Sequence, residues 1–254
     1  MVARRIITLA GPALGDGVSL SIVVPAYNEE ARLPRTLDGI IAFLGQRPSL
    51  RPAEILVIDD GSTDATARTA EQFRGGEGIT VRVLRLERNR GKGAAVRAGL
   101  AASAGARVLI SDADLATPIE ELDVLLAKGV QLAVGSRAVN RDLIARRQPL
   151  PRDVLGRLFN LFLHGLGLTA LADTQCGFKL LDGELARRLA GRLRLDGFAF
   201  DVELLARAAR EGASVAEVPV RWYHVDASRV RPVRHGMQML RDAARVRVWL
   251  WLGR

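Results

Sequence analysis

Four times between Leu20 and Asp114 a short run of aliphatic and β-branched residues stops at a polar turn, and helical spacing follows. Leu20 to Val24 runs into Pro25-Ala26-Tyr27-Asn28-Glu29-Glu30, then into apolar residues at 33, 37, 40, 41 and 44, the period of a helix with one buried face. Asn28 is placed to cap that helix, with Glu29 and Glu30 in a first turn that favours negative charge. Ile55 to Ile58 leads to Asp59-Asp60-Gly61-Ser62-Thr63-Asp64 and a helix reaching Phe73. Val81 to Leu86 leads to Asn89-Arg90-Gly91-Lys92-Gly93 and the Ala-rich helix Ala94 to Ala102. The fourth run, Arg107 to Ser111, ends in Asp112-Ala113-Asp114 ahead of a helix opening at Thr117-Pro118. Alternation of this kind predicts an α/β fold with a mostly parallel sheet and helices on both faces. In such sheets ligands bind beyond the carboxyl ends of the strands. All four polar turns lie at that end, so they should converge on one cleft.

The chemistry is most concentrated at Asp112 and Asp114. Residues i and i+2 of an extended backbone point to the same side, and two carboxylates held close repel unless a cation lies between them or one keeps its proton. A hard divalent ion with oxygen ligands, Mg²⁺ or Mn²⁺ carrying a phosphate, is the usual solution. The same residues also suit a plain turn, where Asp caps backbone amides without any metal. Gly91-Lys92-Gly93 lacks the spacing of a P-loop. Three His and one Cys offer no zinc-ligand spacing, and Cys176 alone makes no disulfide framework, which fits a reducing compartment.

A chain of 254 residues with 48% hydrophobic content is expected to form one globular unit, preceded by a loose tail over residues 1–17. Residues 128–254 hold 22 of the 37 Lys and Arg but 12 of the 28 Asp and Glu, so the net charge of +9 belongs to the second half. Such a surface attracts nucleic acid, phospholipid or a phosphorylated substrate. Nucleic acid fits poorly, since aromatic residues make up 5% of the chain and the cleft is lined by acidic turns. Apolar residues at 155, 158, 159, 162, 163 and 166 form a helical stripe with Arg146, Arg147, Arg152 and Arg157 before or on it. Met237 to Leu252 mixes Arg241, Arg245 and Arg247 with Leu240, Trp249 and Trp251. Neither reaches the length of about 20 apolar residues that spans a bilayer; both suit a membrane interface, and the first equally suits an ordinary core helix.

Together Pro25-Ala-Tyr-Asn-Glu-Glu30, Asp59-Asp-Gly-Ser-Thr-Asp64, Asn89-Arg-Gly-Lys-Gly93 and Asp112-Ala-Asp-Leu115 resemble the inverting glycosyltransferases of the GT-A fold. Gly135-Ser-Arg137, Asp173-Thr-Gln-Cys-Gly-Phe-Lys-Leu180 and Phe200-Asp-Val-Glu-Leu204 resemble the subgroup that loads sugar onto a polyprenyl phosphate. The 173–179 segment is most similar to dolichyl-phosphate β-glucosyltransferases, with dolichyl-phosphate mannose synthases as cousins. The resemblance implies a Rossmann-like GT-A domain over 18–234, divided into a nucleotide-sugar half (18–127) and an acceptor half (128–234). A basic amphipathic segment, 235–254, follows.

It further implies transfer of a hexose, glucose first, from a nucleotide diphosphate sugar such as UDP-glucose to a dolichyl-type phosphate, with inversion. Mannosyl or N-acetylhexosaminyl transfer, or a soluble small or protein acceptor, are the alternatives. Pro25, Tyr27, Glu29, Asp60, Lys92 and Asp112 would bind the donor, and Asp112 and Asp114 the Mg²⁺ or Mn²⁺. Arg137, Arg152, Ser228 and Arg229 would bind the acceptor phosphate, and Asp114, Arg137 and Asp201 are the expected catalytic residues. The enzyme would sit peripherally on the cytoplasmic face of a membrane, with no nucleic-acid partner. Two departures stand out: Ala116, where mannose synthases of the group often have a Gln, removes a third metal ligand, and Ala227 and Arg229 replace the more usual Gly and Lys. Whether Asp173, Asp201 and Glu203 contact substrate or cap helices is left open by the residues alone.

Overall fold

The computed structural model describes residues 6–10, 17–146, 150–224 and 232–253. The elements in chain order are β1 (Ile6–Ala10), β2 (Leu20–Ala26), α1 (Leu33–Gly45), β3 (Ala53–Asp59), α2 (Thr66–Glu71), β4 (Ile79–Leu86), α3 (Lys92–Ala102) and β5 (Arg107–Ile110). After them come α4 (Leu122–Leu126), β6 (Leu132–Ser136), β7 (Ile144–Arg146), α5 (Leu150–Gly165), β8 (Lys179–Asp182), α6 (Gly183–Arg192), α7 (Phe200–Arg210), β9 (Val215–Pro219), β10 (Trp222–Tyr223) and α8 (Pro232–Trp251). Eight strands form one sheet in the order β1-β4-β3-β2-β5-β8-β6-β9, and β10 and β7 pair separately.

The centre of the sheet is parallel, as the strand and helix alternation predicts: β2 pairs in parallel with β3 and β5, and β3 with β4. Every residue of β3 is buried, as expected of a strand covered on both faces. Alternate residues feed two cores. Val23, Leu56 and Ile58 pack with α3, α6 and α7, whereas Ile22, Val24, Ile55 and Val57 pack with α1 and α4. At the edge remote from the polar turns, fully buried Glu54 takes the Arg82 guanidinium at 2.5 Å, the Ser21 hydroxyl at 2.5 Å and the Ala104 amide at 2.7 Å. This network offsets the cost of burying a charge.

Several local expectations change. Within the segment read as a loose tail, Ile6–Ala10 forms an edge strand antiparallel to β4, covering an otherwise open row of backbone groups. Helix α1 begins at Leu33, with Pro34 in its first turn, so Asn28 is not its cap. Asn28 instead adopts φ +52, and its side chain accepts from the Thr63 amide at 2.8 Å. The stretch after Thr117-Pro118 opens as a single 3₁₀ turn before α4.

One reversal shapes the site. Strand β8 runs antiparallel to both neighbours, pairing Lys179 with Ile110 and with Val134. Its first residue therefore lies level with the carboxyl ends of β5 and β6, beside the polar turns.

Candidate active site

The turns after β2, β3 and β4 lock together through side chains that accept backbone amides. The Asn28 amide donates to Ser62 Oγ at 2.8 Å, the Glu29 amide to Thr66 Oγ1 at 2.7 Å, and the Ala65 amide to Glu30 Oε2 at 2.8 Å. Asp60 accepts the Arg90 amide at 2.9 Å and the Gly91 amide at 2.7 Å, tying the third turn to the second. Gly61 makes that approach possible. Its φ is +69°, and a Cβ there would stand 2.4 Å from the Arg88 carbonyl carbon. Burial, assisted by the neighbouring Asp59 charge, pushes the Asp60 carboxyl up to about 6 against the pull of the two amides. Pro25 and Tyr27 are half-buried beside this wall. Glu29 is held by Arg32 through two contacts of 2.7 and 2.8 Å.

At the end of β5 the charges interleave. Lys92, the first residue of α3, sets its Nζ 2.5 Å from Asp112 Oδ1. Burial alone would lower the Lys92 ammonium, but the carboxylates of Asp112, Asp201 and Asp114 outweigh it and raise its pKa. Burial likewise opposes ionisation of Asp112, but Lys92, Lys179 and Arg137 hold its pKa below the usual carboxylate range. Asp114 moves the other way, raised by burial and by the Asp112 charge. Its Oδ1 accepts the Ala116 amide at 3.0 Å, in a turn where Leu115 has φ +47°. Thr36 on α1 pins the same turn by donating to the Ala113 carbonyl at 2.6 Å.

Asp201, in the first turn of α7, pairs with Lys179 at 2.6 Å, and both side chains are buried. Burial raises the Asp201 carboxyl. Lys179 Nζ also donates to the Cys176 carbonyl. Glu203 turns the opposite way, accepting the Arg194 and Leu195 amides at 2.9 and 2.8 Å and pairing with Arg207 at 2.8 Å. Glu203 therefore holds the loop before α7 and does not face the cleft charges.

Arg137 leaves the end of β6 and grips Asp173. Nε and Nη2 donate to the two carboxylate oxygens at 2.7 and 2.8 Å, and the Arg137 amide adds a third bond at 3.0 Å. The guanidinium also lies 5.5 Å from the Trp222 ring. Asp173 is steadied in turn by Glu217, whose oxygens accept the Ala172 and Asp173 amides at 2.8 and 2.7 Å. One fork of Arg137 is thus committed to Asp173, and among the described residues Nη1 has no hydrogen-bond partner. Of the other expected acceptor residues, the Arg152 side chain, Ser228 and Arg229 lie outside the described residues.

The structure thus brings Lys92, Asp112, Asp114, Arg137 and Asp201 into one electrostatic cluster, with Asp60 anchoring the turn behind Lys92. Lys179 belongs to it and was not singled out from the sequence, although a signal was there. All but three of the 37 basic residues are Arg; of the three Lys, Lys128 is exposed and the other two stand here. A compact ammonium fits between crowded carboxylates where a planar fork does not.

The two central carboxylates fit a divalent ion. They repel each other, one is stabilised as an anion, and the Asp112 side chain stays 34% exposed. No group of three His, Cys, Asp or Glu able to hold a metal occurs among the described residues, so the remaining ligands would come from substrate oxygens and water.

Residues 21–183 match the family model described as Glycosyl transferase family 2. The chain is 39% identical over 251 residues to the dolichyl-phosphate beta-glucosyltransferase of Dictyostelium discoideum, covering 94% of this chain and 76% of that protein. Among solved structures it resembles mannosyl-3-phosphoglycerate synthase from Rubrobacter xylanophilus, with TM-score 0.64 and 22% identity over 93% of this chain and 75% of the other. It also resembles glucosyl-3-phosphoglycerate synthase from Mycobacterium tuberculosis in complex with Mn²⁺, UDP-glucose and phosphoglyceric acid, with TM-score 0.58 and 24% identity over 91% and 78% of the two chains. These likenesses establish the GT-A fold.

Proposed function

The chain belongs to glycosyl transferase family 2, and from that premise we propose that it transfers glucose from UDP-glucose to a dolichyl-type polyprenyl phosphate, with inversion. The observation that carries this reading is the cluster at the end of β5, where a carboxylate pair suited to a divalent ion adjoins cations suited to phosphates. The acceptor class is supported by the 39% identity, over nearly the whole chain, to a dolichyl-phosphate beta-glucosyltransferase.

The interlocked turns of β2, β3 and β4, with Pro25, Tyr27, Glu29 and Asp60, form the donor wall. Asp112 and Asp114 would hold Mg²⁺ or Mn²⁺, which supplies Lewis-acid stabilisation of charge on the departing diphosphate. Arg137, braced by Asp173, directs its free N–H groups at the acceptor phosphate. An oxygen of that phosphate forms the new bond to the anomeric carbon as the bond from that carbon to UDP breaks. The acceptor oxygen is already anionic near neutral pH, so no general base has to remove a proton. Attack opposite the leaving group turns an α-linked donor into a β-linked product. Lys179 and Asp201 hold each other and fix the charge beneath the cluster.

A lipid acceptor requires approach to a membrane. No described helix is long and apolar enough to cross one, but α5 and α8 leave apolar side chains uncovered, among them Leu158 and Leu161 on the first and Met237, Val248 and Trp251 on the second. Arg241 and Arg247 are exposed on α8 as well. Apolar residues flanked by Arg suit peripheral contact with anionic lipid. We assign the contact to the cytoplasmic face, a side compatible with free, buried Cys176.

Purified protein incubated with Mn²⁺ and labelled UDP-glucose, UDP-N-acetylglucosamine or GDP-mannose tests the reading, with a short polyprenyl phosphate or phosphoglyceric acid as acceptor. UDP-glucose with the lipid should give an acid-labile, β-linked glucosyl lipid. Transfer to phosphoglyceric acid alone, or a preference for another donor, would overturn the corresponding half of the proposal.

A further inference from the structure

We propose that Lys92 is an internal counter-ion that occupies the metal position on Asp112 until the donor arrives, so that the divalent ion binds tightly only together with the nucleotide diphosphate. This inference rests on the reading that Asp112 and Asp114 hold a divalent ion against a nucleotide diphosphate sugar.

The geometry sets up a competition. Lys92 Nζ is 2.5 Å from Asp112 Oδ1, whereas Mg²⁺ would need that oxygen at about 2.1 Å. Gly177 packs against the whole Asp112 carboxylate, since a Cβ there would come within 2.1 Å of Oδ2 and 2.7 Å of Oδ1. An ion approaching Oδ1 therefore competes with the ammonium for that oxygen. Without a diphosphate, Lys92 has poor places to go: Asp201 is already paired with Lys179, and Asp114 would share the metal.

The local charge favours joint entry. Among the described residues, Asp112 faces Lys92, Lys179 and Arg137, and Lys92 faces Asp112, Asp201 and Asp114. A divalent ion alone adds two positive charges beside these cations, whereas the ion together with a diphosphate bearing two negative charges adds none. The side chain has room to make the exchange. Lys92 is 22% exposed, its Nζ is 5.9 Å from the Phe200 ring centroid, and it opens α3, where amides and dipole also favour phosphate. Swinging from Asp112 to the diphosphate, Lys92 would trade one anionic partner for another and free Oδ1. Metal and donor then help each other bind, and by linkage the enhancement is equal in both directions. The choice of Lys in a chain that otherwise uses Arg supports this, since a fork bonded to Asp112 would be slower to give up its partner.

The test is titration with Mn²⁺ followed by electron paramagnetic resonance, with and without UDP and corrected for the Mn²⁺–UDP complex. It uses wild type, Lys92→Met, Lys92→Gln and Lys92→Arg, with folding checked by circular dichroism. UDP should raise the affinity of wild type for Mn²⁺ by about tenfold or more, within the ordinary range of coupling between sites. Either neutral variant should bind Mn²⁺ alone about tenfold tighter than wild type and lose most of the UDP enhancement, and Lys92→Arg should still exclude the ion. Equal Mn²⁺ affinity in wild type and the neutral variants, or an unchanged UDP enhancement, would overturn the proposal. If those results appear while Asp114→Asn abolishes Mn²⁺ binding, the metal site stands and only the role of Lys92 fails. If no protein retains Mn²⁺ even with UDP, the metal reading fails and takes this proposal with it.

Discussion

Replacing Asp173 by Asn keeps the shape of the side chain and removes the charge that Arg137 is built around. Asp173 accepts three hydrogen bonds from Arg137 and one from the Gln175 amide at 3.0 Å. Burial works to raise its carboxyl, but the charge and hydrogen bonds of Arg137 override it and hold the group at about 2, below the ordinary 3.8. That lowering corresponds to about 2.5 kcal/mol of stability. The folded value lies below the unfolded one, so the stabilisation is whole above pH 3.8 and is lost as the pH falls through about 2. Asp173→Asn also leaves a guanidinium that is only 25% exposed without its counter-charge, a situation that costs about 3–5 kcal/mol when one partner of a buried pair is removed. Urea unfolding at pH 7 should therefore show a loss of about 2.5–5 kcal/mol, and the gap to wild type should narrow between pH 4 and pH 2 as Asp173 takes up its proton. In turnover assays the acceptor KM should rise about tenfold with the donor KM within about twofold of wild type, since only the group proposed to bind the acceptor loses its brace. A stability loss below about 1 kcal/mol at pH 7, or equal effects on the two KM values, would refute this account of Arg137.

The other perturbations probe the donor side and the lipid side. Asp114→Asn should lower kcat by at least about 100-fold, as should chelation by EDTA, and a near-normal rate in either experiment removes the metal from the mechanism. Asp60→Ala frees the Arg90 and Gly91 amides and should lower stability by about 1.5–3 kcal/mol in urea unfolding, the worth of charge-assisted hydrogen bonds, and by loosening that turn it should weaken UDP binding in calorimetry. Gly61→Ala forces a side chain into positive φ and against Arg88. It should lower stability by at least about 1–3 kcal/mol, measured by urea unfolding. Removing residues 245–254 would be a poor membrane test, because Val246 and Leu250 are buried in the core. Arg241→Ala and Arg247→Ala change only exposed positions, and each should cut binding to anionic vesicles about fivefold at low salt, near 1 kcal/mol per charge, and by less at high salt. Unchanged cosedimentation would separate α8 from the membrane.

The convergence of the polar turns was legible because parallel strands all end at the same edge of a sheet. Once Ile55 to Ile58 and Arg107 to Ser111 read as strands, the turns after them had to be neighbours, and Asp60 and Asp112 could be assigned to one cleft before any contact was known. The second half resisted for the converse reason. Strand β8 enters the sheet reversed, so Lys179 reaches the site through topology rather than spacing, and no local pattern announces an antiparallel insertion between β5 and β6. The pairing of Arg137 with Asp173, 36 residues away, is invisible for the same reason, as are the Asp201 link to Lys179 and the role of Glu203 in holding the 194–195 amides. Both acidic residues at the start of α7 look alike in sequence as helix-start charges. Only the direction of each side chain separates them, and about half a turn of helix sends Asp201 to the cleft and Glu203 to the loop.

What links the two halves is the economy of Lys. An Arg-rich chain uses a small ammonium at Lys92 and Lys179, both against carboxylates of the cleft. Arg137 and Arg97 serve where a fixed fork suffices, bracing Asp173 and Asp196. Of the two ammoniums, Lys179 is buried and fixed by Asp201, whereas Lys92 is the partly exposed one, beside the carboxylates proposed to hold the metal. A site that must exchange a proteinaceous counter-ion for a metal and a diphosphate needs one cation that can move without unravelling its surroundings. Lys92 meets that need because the turn carrying it is held by other groups, the Arg90 and Gly91 amides on Asp60 and the Arg90 guanidinium on Asp196, so the side chain can swing while the backbone stays.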